Sequence, residues 1–101
     1  MIDNIPHGRL GTLPDPATLR AMSPDLRSRT IGHCLRLEVQ QLLAVPPAHR
    51  ISAHLPLSQQ GLDVLNALFL ERRIRCVLGR EVSRHVLSES TVTELADLLA
   101  R

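Results

Sequence analysis

The chain has 101 residues, 44% of them hydrophobic, with twelve basic and ten acidic side chains and a formal net charge of +2. That length suits one small domain, the charge is too small to mark a nucleic-acid binder by itself, and no apolar run approaches the length of a membrane span. A single aromatic, Phe69, makes the expected core aliphatic, and the absence of lysine reads as compositional bias rather than function.

Residues 1–22 carry Pro6, Gly8, Gly11, Pro14 and Pro16 within a short span. That density argues for an arm or linker, with at most a weak helical turn around Pro16 to Met22. The opening residues lack the basic-then-apolar pattern of a secretion signal, so a cytoplasmic protein is expected.

Ser23-Pro24-Asp25-Leu26 is a helix start: serine caps, proline takes the first helical position and the acid sits in the first turn. Apolar residues then recur at Leu26, Ile31, Cys34, Leu35, Val39, Leu42, Leu43 and Val45, mostly three or four apart, which predicts an amphipathic helix over about 24–44. Gly32 weakens this helix without breaking it, and Pro46-Pro47 ends it. Residues 45–61 form a long loop stiffened by Pro46, Pro47 and Pro56, with Ile51, Leu55 and Leu57 expected to pin it to the core.

The loop closes on Gly61-Leu62-Asp63. Asp63 is placed to accept from free backbone N–H groups two or three residues on, and an apolar run at helical spacing continues to Gly79, a common signal just past a helix end. A capped helix over about 64–78 follows. Leu62, Ala67, Leu70, Ile74 and Val77 suffice for its buried stripe. Val64, Leu65, Leu68 and Phe69 are then surplus: Val64 and Leu68, and likewise Leu65 and Phe69, stack four apart in adjacent rows. Either this surplus is exposed and docks on something, or the core is deeper than one stripe. Beyond it, Arg72, Arg73 and Arg75 make a basic, solvated stretch in which Glu71 and Arg75 have the spacing of an ion pair. Near the C-terminus, Thr91-Val92-Thr93-Glu94 is a capping box, and Val92, Leu95, Ala96 and Leu99 give a last helix, about 92–100, its apolar face.

Gly61-Leu62-Asp63-Val64-Leu65 resembles the Gly-Leu-Asp-Ser-Leu signature of acyl carrier proteins, especially those of modular polyketide synthases. The resemblance extends over residues 23–101. It implies an all-α, four-helix bundle with a long loop between helices one and two and a short third helix near 84–87, following an N-terminal arm at 1–22. Ser90 stands where the family usually has proline, Leu87 where it has an aromatic, and one residue is missing between Gly79 and the last helix. In the family the serine carries a phosphopantetheine arm; here that position is Val64, which has no hydroxyl, so no cofactor is expected.

Nothing else in the sequence replaces that chemistry. Ser58, Ser83, Ser88 and Ser90 lack the context of a helix start after Gly-Leu-Asp and read as caps or turns. Cys34 and Cys76 sit in helical patterns and read as buried hydrophobes. His7, His33, His49, His54 and His85 are scattered, with no metal-binding spacing, and no nucleophile–base–orienter set exists, so an enzyme is not expected. A helical nucleic-acid binder would lack aromatics for base stacking. By resemblance, the expected role is protein–protein docking or scaffolding in polyketide or related fatty-acid or peptide biosynthesis. Synthase enzymes or domains are the expected partners, a homodimer is a further possibility, and neither nucleic acid nor membrane is expected. Val64, Leu65, Leu68, Phe69, Arg72 and Arg73 form the expected partner surface. The alternative is a true acyl carrier whose serine was replaced by mutation.

Overall fold

Among the described residues, four helices begin at a residue whose side-chain oxygen accepts a hydrogen bond from the backbone N–H three positions on. Ser23 accepts from Leu26, Asp63 from Asn66, Ser83 from Val86 and Thr91 from Glu94. Each satisfies one of the donors that a helix start leaves free, a contribution of about 0.5–2 kcal/mol. At Thr91 the bond is reciprocated, since Glu94 accepts from the Thr91 backbone N–H at 2.9 Å and completes the capping box.

In the computed structural model of the chain, residues 13–46 and 49–101 are described. They form five helices and no strand: α1 (Pro16–Ala21), α2 (Pro24–Leu42), α3 (Val64–Leu78), α4 (Arg84–Glu89) and α5 (Val92–Ala100), with a 3₁₀ turn at Leu57–Gln60. The expected all-α class is met. The bounds of the third and fifth helices agree with the capping and periodicity signals that predicted them.

Three boundaries differ. Residues 1–12 of the expected arm lie outside the described residues, but the segment after them forms α1, at the place of the anticipated turn. Its Leu19 is buried. The helix expected to run to about residue 44 stops at Leu42. There Ala44 takes a left-handed conformation (φ 56°), and the N–H groups of Ala44 and Val45 return to the carbonyls of Gln41 and Gln40. This is the hydrogen-bond pattern that usually ends a helix on glycine. The helix expected near 84–87 runs on to Glu89.

The core is aliphatic and shared by all the elements after α1. Ile31, Leu35 and Val39 of α2, Leu95 and Leu99 of α5, Ala67, Leu70 and Ile74 of α3 and Leu87 of α4 all belong to one buried cluster. α2 and α5 pack extensively against each other, and a Cβ added at Gly32 would lie 3.3 Å from that of Ala96. A side chain there would crowd Ala96 and ask a shift of a few tenths of an ångström. Of the three loop residues expected to pin the long connection, Ile51 and Leu57 are buried, whereas Leu55 is exposed. Leu26, expected on the apolar stripe of α2, is also exposed, because it lies five residues before the buried Ile31 and so about 140° away from it round the helix.

Leu70 is fully buried at the centre of α3. Replacing it with alanine should leave a cavity and lower stability by about 2–5 kcal/mol. Chemical denaturation measures this directly, and an unchanged midpoint would contradict the phase of α3.

Candidate functional site

The segment Gly61-Leu62-Asp63 turns the chain from the 3₁₀ turn into α3. Gly61 adopts φ 106°, Leu62 drops into the core, and Asp63 stays exposed as the cap. Leu62 donates its N–H back to the Leu57 carbonyl at 3.1 Å, which fixes the entry to the helix. Gln60 secures the loop behind it: its side-chain oxygen accepts from Ser52 N at 2.7 Å, and its amide donates to the carbonyls of Ser52 and Leu55. The first residue of α3 is therefore held at a defined point on the surface.

That residue is Val64, 74% exposed, followed by Leu65 at 59% and Phe69 at 46%. Leu68 is half-buried. The question left open by the sequence is decided for exposure: the apolar surplus at the start of α3 lies outside the core. The buried stripe is Ala67, Leu70 and Ile74, with Val77 partly buried against it.

The arginines divide. Arg72 is exposed, as is Arg75. Arg73, expected on a solvated basic face, instead turns towards α2. Its Nε lies 3.5 Å from Oε2 of Glu38, a carboxylate buried among the core residues of that helix. The Nε and Nη2 atoms of Arg73 are buried and make no hydrogen bond, so the pairing with Glu38 is one of charge. Arg73 thus belongs to the α2–α3 contact rather than to an open basic surface. Glu71 pairs with Arg84 of α4 at 3.6 Å, not with Arg75 as its spacing suggested. Here a tertiary partner has displaced the one within the helix.

Between α2 and α3 lies a shallow, mostly apolar groove lined by Glu38, Leu42, Phe69, Arg72, Arg73 and Cys76. Cys76 was expected to be buried and is exposed, whereas Cys34 is buried as expected. The signal was available: Cys76 follows Phe69 by seven residues and Arg72 by four, so it shares their side of the helix. The serines weighed as alternative attachment points have local roles or surface positions. Ser83 caps α4, Ser58 is exposed on the 3₁₀ turn, and Ser90 offers its carbonyl to Leu57 N. Among the described residues no group of three or more His, Cys, Asp or Glu side chains could hold a metal ion, and no helix is long and apolar enough to cross a membrane. Away from this face, the Thr18 hydroxyl donates to Asp15, ahead of α1, and lowers that carboxyl below its ordinary value.

No family model, no curated protein and no solved structure matches this chain.

Sequence reasoning missed the side chains that tie distant segments together. Arg27 donates to the carbonyls of Leu19, Arg20 and Met22 and, across the bundle, to that of Ala100 at 2.6 Å. Arg80 donates to the carbonyls of Leu98, Leu99 and Arg101 at the end of α5. Both satisfy acceptors that a helix C-terminus leaves free.

Two measurements follow from this geometry. Arg73→Met leaves Glu38 buried without its cation and should cost about 1–3 kcal/mol, whereas Arg72→Met, on the open face, should change stability by less than about 0.5 kcal/mol. Equal effects in thermal denaturation would place both arginines on the same surface. In a thiol-labelling time course, the native protein should react promptly at Cys76 and at Cys34 only on unfolding. Equal rates would contradict the exposure of the α3 face.

Proposed function

We infer that this chain is an acyl-carrier-like domain of polyketide or related biosynthesis that has lost its phosphopantetheine attachment point and acts by docking to protein partners. The observation that carries the reading is the position of Val64. It is the first residue of a helix capped by Asp63, it follows Gly61-Leu62-Asp63, and among the described residues it is the most exposed large hydrophobic one. A carrier must present its serine hydroxyl to solvent at such a point, and here a hydrocarbon side chain is presented instead. The order of elements supports the same reading. A long capped helix, a long loop pinned at Ile51 and Leu57, a second capped helix, a short helix and a final capped helix follow in the sequence that the resemblance implies.

Function resides in a site more than in a fold. With the hydroxyl gone, what this site retains is shape and surface: Val64, Leu65 and Phe69 exposed together over the first two turns of α3, with Leu68 half-buried between them. Exposed apolar side chains in contiguous rows are the usual mark of an interaction surface. Synthase enzymes or domains are the partners this reading implies, and no cofactor is assigned, because Val64 offers no oxygen for a phosphodiester.

Incubated with coenzyme A and a broad-specificity phosphopantetheinyl transferase, the protein should gain no mass. Val64→Ser recreates Gly-Leu-Asp-Ser-Leu at an exposed helix start and should acquire the arm, read by intact-mass spectrometry. Loading of the unsubstituted chain would overturn the loss of the attachment point. Failure of Val64→Ser to load, with its fold intact by circular dichroism, would count against the carrier-like reading itself.

A further inference from the structure

The exposed face of α3 changes character along its length. Its first two turns present Val64, Leu65 and Phe69, and its last two present Arg72, Arg75 and Cys76. At a rise of about 1.5 Å per residue, the apolar half and the arginine half are separated by about one turn. The groove towards α2 begins beside Phe69 and Leu42 and ends beside Arg72 and Cys76. Two carboxylates of α2 and α3 beside this stretch are already engaged, Glu38 with Arg73 and Glu71 with Arg84, while Asp63 caps the helix start at the opposite end from the arginines. The exposed half-helix therefore carries positive charge immediately beyond an apolar anchor.

We propose that the α3 face and its groove receive an acidic amphipathic helix of a partner protein, with apolar side chains against Val64, Leu65 and Phe69 and carboxylates over Arg72 and Arg75. Charge complementarity selects this occupant. A second copy of the chain fits poorly: a two-fold contact brings the same patch to itself. Parallel α3 helices would then set arginine against arginine, and antiparallel ones would set the apolar half of each against the arginine half of the other. An extended strand has no sheet edge to join among the described residues, whereas a helix laid along a hydrophobic groove uses anchors three and four apart. The α3 face offers that spacing in Leu65, Phe69, Arg72 and Cys76. The proposal rests on the docking reading above and specifies the partner's chemistry.

The test uses two synthetic helical peptides with the same leucine stripe, one bearing glutamates and the other lysines over the arginine half, followed by fluorescence anisotropy with the full chain. The glutamate peptide should bind, at least about tenfold more tightly than the lysine peptide, and should weaken as salt is raised. Phe69→Ala should reduce affinity by about thirtyfold, the fold-change for loss of an aromatic anchor. The paired substitution Arg72→Glu with Arg75→Glu should reduce it by about tenfold and reverse the peptide preference. If Phe69→Ala unfolds the chain, the arginine pair decides, since both side chains are exposed. Equal binding of the two peptides, or binding of neither, overturns the proposal. So does a dimer in sedimentation that Phe69→Ala dissociates, which would make the second copy the occupant. Loading of Val64→Ser is read independently, so absence of peptide binding beside successful loading removes only the acidic-helix partner and leaves the carrier-like reading standing.

Discussion

The close approach of α2 and α5 is the constraint on which the remaining structure depends. Gly32 lies opposite Ala96 there, where an added Cβ would stand 3.3 Å from that of Ala96. Over the same seam Ile31 and Leu35 bury against Leu95 and Leu99. Polar bonds fix the seam at its edge and its end: Ser28 donates to Asp97 at 2.5 Å, and Arg27 joins the α1 carbonyls to that of Ala100. The long loop is tied to the start of α5 and the end of α4 by two backbone bonds, from Thr93 N to Ala53 O and from Leu57 N to Ser90 O. α3 then has one surface left to cover, and it covers it with Ala67, Leu70 and Ile74. Because a helix can bury one stripe while presenting the opposite one, the seam between α2 and α5 indirectly determines that Val64, Leu65 and Phe69 face outward.

What was legible in the sequence was local. The caps at Ser23, Asp63 and Thr91 and the stop at Gly79, which takes φ 66°, depend on residues within one turn of one another, so a linear reading captures them. The end of α2 escaped because a left-handed alanine does what glycine usually does, and an alanine carries no such signal. The ion pairs escaped for a different reason. Glu71 had Arg75 at good helical spacing but is paired with Arg84, which becomes its neighbour only when α4 folds back on α3. Arg73 looked like one of three equivalent surface arginines, and only the buried carboxylate of Glu38 distinguishes it. Arg27, Arg80 and Gln60 act on carbonyls of other segments, and a backbone acceptor leaves no trace in a sequence. For the candidate site, the apolar surplus on α3 could be counted but not placed. Its exposure is a property of the whole bundle.

Val64 brings these strands together. At 74% exposure it adds almost nothing to the core, and as a β-branched residue it is not a favoured helix former. Neither packing nor propensity calls for valine at this position. Nor does the valine side chain offer a hydroxyl or any other polar group. What valine does supply is hydrocarbon surface, contiguous with Leu65 and leading to Phe69, at the end of a segment whose geometry is held by the Asp63 cap, the Leu62 anchor and the Gln60 clasp. A rigid mount of this kind limits the ordering entropy that a docking residue would otherwise lose on association. The arginines one and two turns later then add direction, because an apolar patch alone would accept many partners, whereas an adjacent fixed charge penalises every partner that lacks the complementary one. In the proposed docking, anchor and charge on a single helix would separate affinity from selectivity, with Phe69 serving the first and Arg72 and Arg75 the second.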